Sequence, residues 1–158
     1  MTELPSSARR FADAAQAAGL SAEVVEMAAS TRTAEEAAAA CGCTVAQIVK
    51  SLIFRGATSG DPVLLLVSGS NRVNEKGIAA TLGEKLKRPD ADYVREVTGY
   101  AIGGIPPLGH ATKLRTCMDR DLLGYDVIWA AAGTPRCVFR TAPAALAKAA
   151  GAEIIDVT

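Results

Sequence analysis

A chain of 158 residues has room for one autonomous core, and with 49% hydrophobic and 22% charged residues it has a globular composition, not a disordered, collagenous or membrane-spanning one. Seventeen Lys and Arg balance seventeen Asp and Glu, so no long-range field draws the molecule to nucleic acid or an anionic bilayer; a polyanion must meet a local patch. The longest apolar runs, Val63–Val67 and Val127–Ala132, fall well short of the ~18 residues a membrane span needs.

The opening MTELPSSARRF has no apolar stretch of the kind that directs export. Ser6 and Ser7 are candidate caps for a helix over residues 8–18, in which Phe11, Ala14, Ala15 and Ala18 share a face and Gly19 ends the run. A short strand is predicted over residues 22–27. Thr33 with Glu36, and Thr44 with Gln47, have the spacing of two capping boxes, which predicts two helices on either side of Gly42. Residues 49–55 and 63–68 are rich in β-branched and aliphatic side chains and flank the turn-prone GATSGDP, so they read as paired strands.

Helices are predicted over residues 74–82, closed by Gly83, and 91–97, closed by Gly99, with the cations Lys85, Lys87 and Arg88 between them. Residues 100–102 read as a brief extended segment leading into Gly103-Gly104-Ile105-Pro106-Pro107-Leu108-Gly109, which neither a helix nor a central strand tolerates. Strand character returns at 114–118, 125–130 and 137–140; Pro143 begins a last helix to Ala150, and residues 153–157 close the chain. Without a strict alternation of strand and helix, a mixed sheet or partly closed barrel with helices outside is expected, as a single domain over residues 1–158.

The four cysteines, Cys41, Cys43, Cys117 and Cys137, are too few and too irregularly spaced for a disulfide framework. Cys41-Gly42-Cys43 could in principle hold a metal, but the chain has a single histidine and no C-x-x-C pair to complete a tetrahedral site, so small buried or half-buried thiols are expected. A reducing, cytoplasmic setting is expected, with no cofactor and no metal. Chemistry concentrates in the glycine-proline loop, whose backbone can approach a ligand and whose N–H groups can face a developing oxyanion. Read locally, a glycine-proline cluster is more commonly a plain structural turn between two strands. Lys50, a lone charge among strand formers, either snorkels to solvent or projects into a cleft. His110 follows the loop directly as a general base or an incidental surface group.

The segments Lys50-Ser51-Leu52-Ile53-Phe54, Val63–Val67, Ala80-Thr81-Leu82-Gly83 and above all Thr98-Gly99-Tyr100-Ala101-Ile102-Gly103-Gly104-Ile105-Pro106-Pro107-Leu108-Gly109 resemble the YbaK/ProX family over the chain from about Thr33 onward. That resemblance implies an α+β fold with a mixed, curved or barrel-like sheet, akin to the editing domain of bacterial prolyl-tRNA synthetase. It further implies a trans-editing deacylase that hydrolyses the ester of tRNA(Pro) carrying a small wrong amino acid: Cys, Ala, Ser or Thr. Lys50, Gly103 and Gly104 take the catalytic positions, and Ser51, Ile105, Pro106 and Gly133 the substrate-binding ones. The partners implied are the 3′ acceptor end of aminoacyl-tRNA and prolyl-tRNA synthetase, with no membrane.

Two departures matter. Arg136 and Val138 stand where relatives that act on cysteinyl-tRNA carry glycine and aspartate, and the Lys50-Ser51 pair replaces the lysine-asparagine of the alanine-editing branch. The alternative on the same fold is a non-catalytic module that binds tRNA or a synthetase, which the Arg136-Cys137 segment motivates.

Overall fold

A computed structural model of the chain describes residues 4–158; residues 1–3, the start of the amino-terminal stretch read above, lie outside the described residues. Helix α1 spans Ser6–Ala17. Its cap position is held by Pro5, whose carbonyl already accepts from the Arg9 N–H at 3.0 Å, so Ser6 and Ser7 begin the helix instead of capping it. Strand β1 (Val24–Glu26) follows, then α2 (Ala34–Cys41), which opens on the expected reciprocal pair: the Glu36 N–H donates to Thr33 Oγ1 at 3.1 Å and the Thr33 N–H to Glu36 Oε1 at 3.3 Å.

The second predicted helix is only one 3-10 turn, Val45–Gln47, because the chain must enter strand β2 (Ile48–Gly56) directly after it. The Gln47 side chain is nonetheless used, accepting from the Thr44 N–H at 3.1 Å and donating to the Val127 carbonyl at 3.0 Å. Then come β3 (Pro62–Ser68), α3 (Glu75–Leu82), a two-residue strand β4 (Leu86–Lys87) and α4 (Ala91–Thr98). Asn74 and Asp90 cap α3 and α4, and Gly83 and Gly99 close them.

The extended segment expected at residues 100–102 is part of the following loop instead, where the Tyr100 N–H donates to Thr98 Oγ1 at 3.1 Å rather than to a strand. Strand β5 is Arg115–Asp119; a 3-10 turn over Arg120–Gly124 delays β6 to Ile128–Ala131. Strand β7 (Cys137–Thr141), helix α5 (Pro143–Ala150) and strand β8 (Glu153–Ile155) complete the order.

The eight strands form one mixed sheet in the order β1-β7-β6-β2-β3-β5-β8, with β4 also on β2. Strands β1 and β8 remain as free outer edges, so the sheet is mixed as expected but is not closed into a barrel. Strand β3 shows why the centre is secure: Leu64, Leu65, Leu66 and Val67 are fully buried, and their alternation feeds two cores. Leu64 and Leu66 pack with Phe11, Val94, Phe139 and Leu146 from the α1, α4 and α5 side, while Leu65 and Val67 pack with Phe54, Ile78 and Cys117 on the α3 side.

Candidate active site

Strand β2 is paired completely on one edge and incompletely on the other. Against β3 the register runs unbroken from Val49↔Ser68 to Arg55↔Pro62. On the opposite edge β6 pairs only Ile48 and Val49, and β4 only Arg55 and Gly56, so the ladder opens over residues 50–54. The opening has a local cause: β6 turns away to follow β7, and Pro89, just past β4, has no N–H with which to extend the pairing.

A cavity of about 280 Å³ lies in this opening. Residues 48–52 line it from β2, residues 31–34 and Ala37 from the approach to α2 and α2 itself, Ile102, Gly103 and Ile105 from the glycine-proline loop, and Trp129, Ala130, Ala131 and Val138 from β6 and β7. Lys50 and the loop therefore share one cleft. Ser51 belongs to it as well, and its Oγ is buried with no hydrogen-bond partner among the described residues, an uncommon condition for a hydroxyl and one that a bound ligand would relieve.

The Lys50 ammonium donates to the Asn71 carbonyl at 2.6 Å. Asn71 is itself held by the buried Asp119: its Nδ2 donates to Asp119 Oδ2 at 2.8 Å, and the Ser68 N–H donates to the same oxygen at 3.0 Å. Burial pulls the Lys50 pKa below its ordinary 10.5, with Arg72 pushing the same way and Glu35 and Asp119 opposing. A partly desolvated cation next to a cleft interacts strongly with an anionic or developing-anionic ligand.

The loop is built to hold its shape. Gly103 has φ +96°, and a Cβ there would lie 2.8 Å from Arg32 Cγ, so the glycine makes room for the arginine that lies across it. Gly104 is buried against backbone: a Cβ would lie 2.6 Å from the Thr134 carbonyl carbon, its own carbonyl accepts from the Gly133 N–H at 3.0 Å, and its N–H donates to Ala101 at 3.1 Å. Gly104 and Gly133 thus join the loop to the β6–β7 turn. The N–H groups of Gly103 and Ile105 donate to no protein acceptor among the described residues, which leaves them as the loop's available donors.

Pro106 is buried, and its carbonyl lies 2.7 Å from His110 Nε2. Burial lowers the His110 pKa below 6.5 against the opposing effect of that bond, so the neutral imidazole braces the loop as an Nε2–H donor. Tyr100 Oη donates to the Gly109 carbonyl at 3.3 Å, and the Arg10 guanidinium of α1 stacks 4.4 Å over the Tyr100 ring while donating to the Gly99 carbonyl. Helix α1 is therefore the buttress of the loop.

Of the expected site residues, Lys50, Ser51, Gly103 and Ile105 meet at the cleft, while Gly104, Pro106 and Gly133 stand behind it in the loop's support. Val138, at the position where an aspartate is expected in relatives that act on cysteinyl-tRNA, pairs with Ala131 in the cleft wall and, with Trp129 and Ala130, makes that wall apolar. Sequence reasoning missed Arg32 and Arg72. The only sequence signal for Arg32 is its position just before the Thr33 cap, and for Arg72 its place after the β3 turn. The cysteines offer no nucleophile, since burial and the neighbouring Cys43 push Cys41 up to about 11 and burial raises Cys43, Cys117 and Cys137. No helix among the described residues is long and apolar enough to cross a membrane.

Residues 28–149 match the profile of a family described as the aminoacyl-tRNA editing domain. A solved structure of a candidate trans-editing enzyme for prolyl-tRNA synthetase is 48% identical, with a TM-score of 0.93 and 99% of each chain covered. The candidate Cys-tRNA(Pro)/Cys-tRNA(Cys) deacylase EbsC of Enterococcus faecalis is 25% identical over 80% of this chain and 77% of its own. The proline–tRNA ligase of Limosilactobacillus fermentum is 31% identical over 58% of this chain, which corresponds to only 17% of the ligase.

Proposed function

Because the chain belongs to the aminoacyl-tRNA editing domain family, we propose that it acts in trans as a deacylase, hydrolysing the ester between a wrong amino acid and the 3′ end of tRNA(Pro). The observation that carries this reading is the meeting of Lys50 with the Gly103–Ile105 loop in one cleft. The likeness to a candidate trans-editing enzyme over nearly the full chain, and to a limited part of a proline–tRNA ligase, supports action on tRNA released by such a ligase.

An aminoacyl ester is already activated, so alignment and charge stabilisation can supply most of the acceleration. In this mechanism the acyl carbonyl lies against the loop, where the free N–H groups of Gly103 and Ile105 receive the negative charge that forms as water attacks. The Lys50 ammonium holds the acylated ribose and its phosphate, and the Ser51 hydroxyl gains its missing partner from the substrate. Gly104, Pro106 and Gly133 keep the loop in register behind these groups. The reaction adds water across the C–O ester bond, releasing a free amino acid and an intact 3′ terminus. No protein nucleophile takes part.

The apolar wall of Trp129, Ala130 and Val138 suits a small side chain without a hydroxyl, since a hydroxyl placed there would lose its water without gaining a partner. Alanine and cysteine are the preferred cargo, ahead of serine and threonine. The test is tRNA(Pro) charged with each of the four in turn. Loss of alanine or cysteine faster than in buffer is expected; no acceleration on any of the four overturns the reading. Salt-sensitive tRNA binding with every ester intact would make the protein a binding module instead.

A further inference from the structure

The cleft continues past Ser51 into a second cavity of about 530 Å³, and the two share Lys50, Ser51, Leu52, Ile102 and Ile105. Five consecutive β2 residues, 50–54, line the second cavity. A hollow on one face of a strand touches alternate residues, whereas one that runs along the strand's edge touches all of them. It is the edge of β2 that faces this space.

The main-chain groups on that edge follow from the register. The Gly69 N–H donates to the Ile48 carbonyl at 2.7 Å and the Gly56 N–H to the Asp61 carbonyl at 2.9 Å, so the even-numbered residues of β2 direct their N–H and C=O toward β3. The odd-numbered ones direct theirs the other way. Val49 meets β6 and Arg55 meets β4, but Ser51 and Ile53 fall in the opening, where Pro89 has no N–H to offer. Among the described residues the N–H and C=O of Ser51 and Ile53 have no partner on this edge, and such groups in a partly enclosed hollow require one. Above it Ile102 is 55% exposed, an apolar side chain at the mouth of both cavities with no packing duty of its own.

We propose that the open edge of β2 reads the terminal adenine of the acceptor end: main-chain N–H and C=O groups of Ser51 and Ile53 pair with adenine N1 and N6, and Ile102 covers the ring. This inference rests on the deacylase reading for the identity of the ligand. If the acyl group enters the first cavity and the nucleotide chain leaves through the second, the adenine falls at their junction. Adenine presents an acceptor next to a donor on its Watson–Crick edge, the complement of a strand edge, and single-stranded ends are commonly read this way. Arg72 and Arg88 flank the second cavity, Arg88 shared with Glu75 at 3.3 Å, and face the phosphates that follow.

The test uses the wild-type protein and unacylated trinucleotides, so neither folding of a variant nor catalysis enters. CCA is compared with CCI, in which inosine keeps adenine's shape but exchanges acceptor for donor, and with the analogue lacking only N7. The expected result is binding weakened about tenfold or more for inosine and unchanged for the N7 analogue. In amide NMR spectra the Ser51 and Ile53 resonances should move with CCA. Equal affinity for CCA and CCI, no saturable binding, or shifts that spare Ser51 and Ile53 would each overturn the proposal. Ester hydrolysis without adenine preference would sink this inference and leave the deacylase; adenine preference without ester loss would do the reverse.

Discussion

The two edges of strand β2 have the same residues and opposite tasks. On the β3 side every residue from Val49 to Arg55 has a partner, and behind it Leu64–Val67 are excluded from water. On the other side the ladder breaks off between Val49 and Arg55, and the break holds the cleft, the unpartnered Ser51 hydroxyl and the partly desolvated Lys50. A rigid paired edge fixes the coordinates of groups on the open edge without occupying them. Stability and chemistry are thereby separated by the width of one strand.

Substitutions on each edge should therefore move different observables. The largest effect is expected from Leu65→Ala, which removes a fully buried side chain from the paired side and should cost about 2–5 kcal/mol in denaturant unfolding. The rate per folded molecule should hardly change. Lys50→Ala should do the converse, slowing deacylation about 100-fold while leaving the unfolding midpoint at or above that of the wild type, because burial already disfavours the charge. If Lys50→Ala unfolds the protein and the Leu65 variant loses turnover in its folded fraction, the separation is wrong.

Ser51→Ala sharpens the comparison at an intermediate scale. Removing a buried hydroxyl that has no partner should be neutral or slightly stabilising, yet it should slow deacylation about tenfold, the worth of one hydrogen bond to the substrate. Equal activity would show that the hydroxyl faces the cleft without touching substrate. The smallest effect belongs to His110, in the loop's brace. Its folded pKa lies below the unfolded 6.5, so the unfolded chain binds more protons in between. Stability is then full above about 6.5 and declines as pH falls through the folded value. His110→Gln should flatten the acid-side fall in Tm while leaving the neutral-pH deacylation rate within a few-fold, and a variant inactive but folded would make His110 a participant in the chemistry.

Much of this was legible in the chain. The Thr33–Glu36 box, the closing Gly83 and Gly99, and the β2–β3 pair are local patterns that nothing elsewhere in the fold overrides, and these reach the structure unchanged. Lys50 and the glycine-proline loop were legible through their resemblance to a family, which also linked two segments some fifty residues apart. What the sequence did not disclose depends on partners across the fold. The Thr44 box fails to start a helix because β2 begins at once, and Gly104 turns its N–H inward because Ala101 is there to accept it. Arg32 becomes a cleft residue only because Gly103 makes room for it. The opening in the ladder is the extreme case, since it depends on where two other strands stop.

The most direct test of the central claim is a crystal structure with a non-hydrolysable amide analogue of 3′-alanyl-adenosine. The account predicts the acyl carbonyl within hydrogen-bond reach of the Gly103 or Ile105 N–H and the ribose next to Lys50. An analogue bound away from the β2 opening, or one that contacts the loop while Lys50 stays remote from it, would contradict the account.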